Sequence, residues 1–224
     1  STRVRSSAAS DVYKRQFPEI AHCISDSMTP MVATARIIKE KHPNARVVFI
    51  GPCASKKLEA MRADIRSDVD FVITFEELMG IFQANGIEFS DLQDDTGFNH
   101  GATASGRGYG VAGGVAKAIT DCIGQMAPEL GEIPTDHAEG LDACRKMLML
   151  AKAGKRNGYL LEGMACPGGC IAGAGTVQPA EKSRRNLERY KQAAPMANPM
   201  DTPYLEDIHL VYENGDEWDY VERH

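Results

Sequence analysis

The first regular apolar rhythm along the chain begins after Ser27. The stretch from Pro30, PMVATARIIKEKH, carries its apolar residues at helical spacing, with Ser27 or Thr29 available as a cap and Pro30 suited to a first turn. Pro43-Asn44 ends it. Two β-branched runs follow. Arg46 to Ile50 (RVVFI), bounded by Pro43 and by Gly51-Pro52, predicts a buried parallel strand, and Val69 to Thr74 predicts a second. Thr74-Phe75-Glu76-Glu77 is a capping-box pattern that opens a helix to about Asn85, with Gly86 as its stop. Ser90 to Tyr109 is polar and glycine-rich, a long loop of the kind that carries function. Helices are predicted over about Val111 to Met126 and Ala138 to Ala153, the latter with Leu141, Cys144, Leu148 and Ala151 on one face. Tyr159 to Leu161 predicts a third strand, and Glu181 to Ala193 a charged surface helix.

Both ends break the pattern. Residues 1–16 are polar, without apolar periodicity, and are expected to be a leader foreign to the domain with no structure of its own. Residues 195–224 form a Pro-, Asp- and Glu-rich acidic tail of weak order, which leaves 17–194 as the domain. Within it, strands alternate with helices. That order predicts an α/β fold, a mainly parallel sheet flanked by helices, in which ligands bind beyond the carboxyl ends of strands. Cys53 follows one such strand and Cys166 another, so the two blocks are expected to meet in one crevice at the end of a single sheet.

Composition sharpens this only in part. The 224 residues carry 25 Lys and Arg against 31 Asp and Glu, and the basic residues are scattered, which argues against a nucleic-acid partner. No apolar run approaches the roughly 18 residues of a membrane span. Six cysteines are too few for a disulfide scaffold, and two of them share one glycine-rich stretch, which points to metal or redox chemistry in a reducing, cytoplasmic compartment.

That stretch, Met164-Ala165-Cys166-Pro167-Gly168-Gly169-Cys170, is the strongest chemical signal. Thiolates that hold an iron-sulfur cluster need backbone that can approach closely and point N–H groups inward, and glycines give that access. A plain glycine turn with two buried cysteines is the bland alternative. Zinc is another, although its usual knuckle is C-x2-C and this one is C-x3-C. The second signal is Gly51-Pro52-Cys53-Ala54-Ser55-Lys56-Lys57-Leu58-Glu59, where a thiol follows a strand and Lys56 can return to the same site if a helix starts there. Gly108 to Gly113 matches G-x-G-x-x-G, but the residues before it do not read as a strand, so the dinucleotide fingerprint lacks its context. Cys122 and Cys144 fall on apolar helix faces and read as core.

The two cysteine blocks together resemble the catalytic domain of the iron-only, or [FeFe], hydrogenases. GPCASKKLEA looks like that family's MPCxxKxxE block and EGMACPGGCIAGAGTVQP like its ExMACxGGCxxGGGQP block. The likeness runs over about residues 17–192 and includes the GYGVAGGV segment. It implies an iron-only hydrogenase large-subunit-like fold and a [4Fe-4S] cluster bridged to a di-iron subsite, the H-cluster. By motif, Cys53, Cys166 and Cys170 would be ligands, with Cys170 the bridge. Lys56 would hydrogen-bond a cyanide of the subsite, Met164 would lie against its carbonyl side, Gly110 would wall the cavity and Ser25 would belong to the proton path.

The family's activity is reversible proton reduction to dihydrogen, with a ferredoxin-like electron carrier and hydrogenase maturation proteins as partners. Three departures stand out. The family's first cysteine block would lie upstream of Phe17, where the polar leader stands. Gly51 and Met31 occupy positions where catalytic members usually have Met and Gln, and the third block reads GAGTVQP. The resemblance therefore leaves open a non-catalytic iron-sulfur protein serving cluster assembly or hydrogen sensing. With only three matched thiolates for a cubane that takes four, the purified 224-residue chain is expected to evolve no hydrogen.

Overall fold

A computed structural model of the chain describes residues 3–5, 13–25, 27–93 and 101–208. Its strands are β1 (Arg3–Arg5), β2 (Val48–Ile50), β3 (Phe71–Ile73), β4 (Thr135–Glu139) and β5 (Leu160–Met164). The helices are α1 (Pro30–Lys41), α2 (Ser55–Ala60), α3 (Phe75–Ala84), α4 (Ala104–Arg107), α5 (Gly114–Met126), α6 (Leu141–Lys152), α7 (Ala180–Gln192) and α8 (Leu205–Ile208). All strand pairing is parallel, as expected, but it falls into two sheets: β2 with β3, and β1-β5-β4. The strands that precede Cys53 and Cys166 therefore belong to different sheets, which corrects the expectation of a single one.

Each sheet has its own core. Met31, Val32 and Ala35 of α1 pack with Ile65 and Val69 beneath β2 and β3. Cys144, Met147 and Leu148 of α6 pack with Leu161, Ala138, Ile24, Phe17 and Tyr13 against the three-stranded sheet. β2 is not the fully buried strand its composition predicts. Phe49 turns inward, while Val48, Ile50 and Phe71 remain exposed on the other face.

Several local expectations change for physical reasons. The helix predicted from Ala138 starts at Leu141, because Ala138 and Glu139 pair with Gly163 and Met164 as the end of β4. Thr74 makes the capping box: its hydroxyl accepts from the Glu77 N–H at 3.2 Å, and the Glu77 carboxylate accepts from the Thr74 N–H at 2.8 Å. Thr29 precedes α1 without capping it, its hydroxyl being given to Glu59 instead. Two parts of the segment read as a structureless leader do carry structure. Arg3–Arg5 pairs with Leu160–Glu162, and Tyr13 is buried in the core. The tail is ordered at its start, where the Ala104 and Ser105 N–H groups bond to the carbonyls of Met196 and Ala197 and Asn198 caps a short turn. Its remainder, 209–224, lies outside the described residues. Among the described residues no helix is long and apolar enough to cross a membrane.

Asp70 locks the first sheet to α1. Its carboxylate accepts from the Val47 N–H at 2.8 Å and pairs with Arg46 at 2.9 Å and Lys39 at 3.0 Å. The Val47 N–H, then these cations, hold its pKa well below the ordinary carboxylate range. A depressed pKa stabilises the fold above the unfolded-state value, about 3.9, and that stability is lost as pH falls. Asp70→Asn should therefore lower the denaturation midpoint at pH 7, and its difference from wild type should shrink as pH falls through about 4. Urea titrations at several pH values check this.

Candidate metal centre

Three loops converge around Cys166 and Cys170. The first follows β2. Gly51-Pro52 turns the chain out of the sheet, Cys53 comes next, and α2 begins two residues later. The Pro52 carbonyl accepts from the Gly175 N–H at 3.0 Å, so this loop is bonded to the one that follows β5. At Gly173 the approach is closer still, since a Cβ there would stand 2.5 Å from the Pro52 oxygen. The 173–175 loop also touches the start of α3: the Gly175 carbonyl accepts from the Glu76 N–H at 3.2 Å, and a Cβ at Gly175 would run into Thr74.

The third loop is the Gly108–Gly110 turn. Gly169, at φ +82°, lies where a Cβ would come 2.7 Å from the Gly110 carbonyl oxygen and 3.0 Å from the Val111 Cα. Only glycine meets both demands without displacing backbone. Gly110 itself faces Ile171, whose Cγ2 would be 3.0 Å from an added Cβ. It thus lines the cysteine loop. The residues before it form the α4 turn, capped by Thr103, and no strand, so the G-x-G-x-x-G match is a chance one.

The electrostatics show that the three thiols share one neighbourhood. Burial, and then charge on Cys53, push the Cys166 thiol above its ordinary pKa. Cys170 is raised by burial first, then by Cys53 and Cys166, while the Lys56 ammonium works in the opposite direction. Lys56 therefore lies within electrostatic reach of Cys170. Its Nζ donates to Glu59 Oε2 at 2.6 Å, and Glu59, buried, also accepts from the Thr29 hydroxyl at 2.6 Å. Cys53 and Cys166 are half-buried and Cys170 retains exposed surface.

Among the described residues no group of three or more His, Cys, Asp or Glu is gathered tightly enough to hold a single metal ion. The donors on offer are three thiols set among close-packed glycine backbone, the ligand type an iron-sulfur cluster takes.

The other expected residues are placed as follows. Met164 ends β5, buried, and its carbonyl accepts from the Gly140 N–H at 2.8 Å. Ser25 donates to Ser27 Oγ at 3.1 Å just before α1, and it is Thr29 of that segment that reaches the Lys56–Glu59 pair. Cys144 is enclosed in the core, 3.4 Å from the Ala138 carbonyl. Cys122 is only half-buried. Two carboxylates were not singled out by sequence: Glu139 accepts from the Gly168 N–H at 2.7 Å, and Glu162 is buried behind the loop. A cavity of about 1030 Å³ lies elsewhere, between Tyr13, Phe17, Leu141, Arg145 and Met149, and includes none of the cysteines.

A parallel-stranded α/β chain whose strand-end loops bring together one cysteine from a PC-x2-K turn and two from a CPGGC turn defines a hydrogenase-like iron-sulfur domain. Residues 6–174 match the model of the iron only hydrogenase large subunit, C-terminal domain, and the chain belongs to that family. It is 26% identical to the NADP-reducing hydrogenase subunit HndD of Solidesulfovibrio fructosivorans over 88% of this chain and 41% of that protein. It is 30% identical to a probable cytosolic Fe-S cluster assembly factor of Drosophila virilis over 88% of this chain and 52% of that protein. A solved [FeFe]-hydrogenase structure superposes with a TM-score of 0.69 at 19% identity, covering 94% of this chain and 71% of that one. The chain thus spans about half the length or less of these two curated relatives.

The packing at Gly169 makes a sharp expectation. Gly169→Ala should destabilise the protein by about 1–3 kcal/mol, since it needs both a strained φ and a shift of the Gly110 backbone. Gly124→Ala, in α5 with nothing within 4 Å of an added Cβ, should stabilise it by up to about 1 kcal/mol. Chemical denaturation of the two variants measures both.

Proposed function

We propose that this chain is the cluster-binding part of an iron-only hydrogenase-type domain, holding a [4Fe-4S] cluster on Cys53, Cys166 and Cys170. The observation that carries the reading is the backbone contact that seats the Cys53 loop on the loop after Cys170, with the Gly175 N–H given to the Pro52 carbonyl. Burial first, then neighbouring thiols, push the Cys166 and Cys170 thiols up, so cluster binding at them releases protons.

Each residue's part follows from its position. Cys170 feels the Lys56 ammonium, which suits it as the bridge to a di-iron subsite, and Lys56 is oriented by the Glu59 carboxylate. The Glu59–Thr29 contact continues this polar chain toward α1, near Ser25, giving hydroxyl and carboxyl groups through which a proton can be handed on. Gly110 and Met164 close the site with backbone and an apolar side chain. When bound, an H-cluster supplies the electron and hydride chemistry of proton reduction to dihydrogen. In this reading the complete protein exchanges electrons with a ferredoxin-like carrier, receives its di-iron subsite from hydrogenase maturation proteins and works in the cytoplasm.

A second reading is favoured by the 30% identity to the Drosophila virilis assembly factor: a cubane-only protein serving cluster assembly, or one that senses hydrogen. The infrared bands of carbonyl and cyanide ligands, present in the first case and absent in the second, separate the two.

Both readings share one test. After anaerobic reconstitution with ferrous iron and sulfide, Cys170→Ala and Cys166→Ala should lose most bound iron and the reduced-cluster electron paramagnetic resonance signal. Cys144→Ala should keep both and lose only core packing, on the order of 1 kcal/mol. Equal iron in all three variants would contradict the assignment.

A further inference from the structure

Glu162 is a carboxylic acid almost wholly removed from solvent, 2% exposed, in the middle of β5. The function proposed above leaves it without a task. Its two oxygens accept separately, Oε1 from the Gly113 N–H at 2.9 Å and Oε2 from the Ala116 N–H at 2.7 Å. These donors belong to the first turn of α5, whose N–H groups have no partner within the helix. β5 thus reaches across to the helix through one side chain and grips the turn that leads into it.

The turn gripped is the continuation of the Gly108–Gly110 segment, and Gly110 and Val111 are the backbone against which Gly169 is seated. A single side chain, eight residues before Cys170 in sequence, therefore fixes the wall on the far side of the Cys170 loop. We propose that Glu162 is the positioning residue of the cysteine site: its side chain docks the 108–116 turn onto the CPGGC loop.

Two further observations agree. The Glu162 charge is among those that disfavour the Cys170 thiolate, so the two groups are electrostatic neighbours. Burial pushes the Glu162 carboxyl up, while the Ala116 and Gly113 N–H groups favour its charged form. Glutamine is the informative replacement. It has the same shape, but it offers one acceptor where two are used and turns an NH2 group toward an N–H donor. The bridge is then broken without opening a cavity.

The docking is tested on the apo chain and its effect on the cysteine loop on the loaded one, and only the second rests on the proposed cluster. In apo protein, amide hydrogen exchange over 108–116 should quicken at least about tenfold in Glu162→Gln, the equivalent of roughly 1.4 kcal/mol of lost protection. Glu181→Gln, on the exposed α7 surface, should leave it unchanged. In anaerobically reconstituted protein, Glu162→Gln should alter the cluster's paramagnetic resonance spectrum, because the backbone against which the Cys170 loop is seated is no longer held. Unchanged exchange over 108–116 overturns the docking role, and an unchanged spectrum overturns the positioning of the cysteine loop. A wild-type chain that takes up no cluster contradicts the proposed function instead, and leaves the exchange result to judge Glu162 on its own.

Discussion

The site exists because the loop after β2 and the loop after β5 are pressed together backbone to backbone. The Pro52 carbonyl accepts from the Gly175 N–H, and Gly173 stands too close to that same oxygen for any side chain. Each sheet has its own core, and packing within either one does not set where Cys53 lies relative to Cys166. The contact between strand-end loops does. It needs glycine, since any larger residue at 173 would push backbone against the Pro52 carbonyl and part the two loops.

Around that contact the structure places charge in a consistent order. Burial and then neighbouring thiols raise the cost of ionising Cys166 and Cys170, the Lys56 ammonium eases it at Cys170, and carboxylates hold the surrounding loops. Glu139 binds the Gly168 N–H, Glu162 binds the turn before α5, and Glu59 fixes the lysine. Apart from the lysine, these groups grip backbone donors and leave the thiols free for a cationic centre. A site of this kind gains from iron what it lacks as a bare protein, namely positive charge among clustered thiolates.

What could be read from the residue string follows from how local each determinant is. The helix after Thr74 was legible because its cap is written within four residues, and Cys166 and Cys170 were legible because glycines on both sides have no other use. β4 was not, since Thr135-Asp136-His137-Ala138-Glu139 has no apolar run and becomes a strand only by pairing with β5. The division into two sheets was hidden for the same reason: it depends on which distant strands pair. Glu162 stands at the acidic position of the EGMAC motif and Glu139 looks like an ordinary acid, and the string gives neither a task. Their tasks are set by N–H groups 29 and 46 to 49 positions away. Tyr13, in a segment with no visible rhythm, enters the core as a single residue beneath α6.

The central claim is that Cys53, Cys166 and Cys170 hold one iron-sulfur cluster between the two sheets. Anomalous diffraction at the iron absorption edge, from crystals of the anaerobically reconstituted chain, tests it most directly. The account predicts one compact group of iron peaks in contact with all three sulfurs and lying on the Lys56 side of Cys170. Iron bound elsewhere, or a single metal ion bound by Cys166 and Cys170 without Cys53, would contradict it.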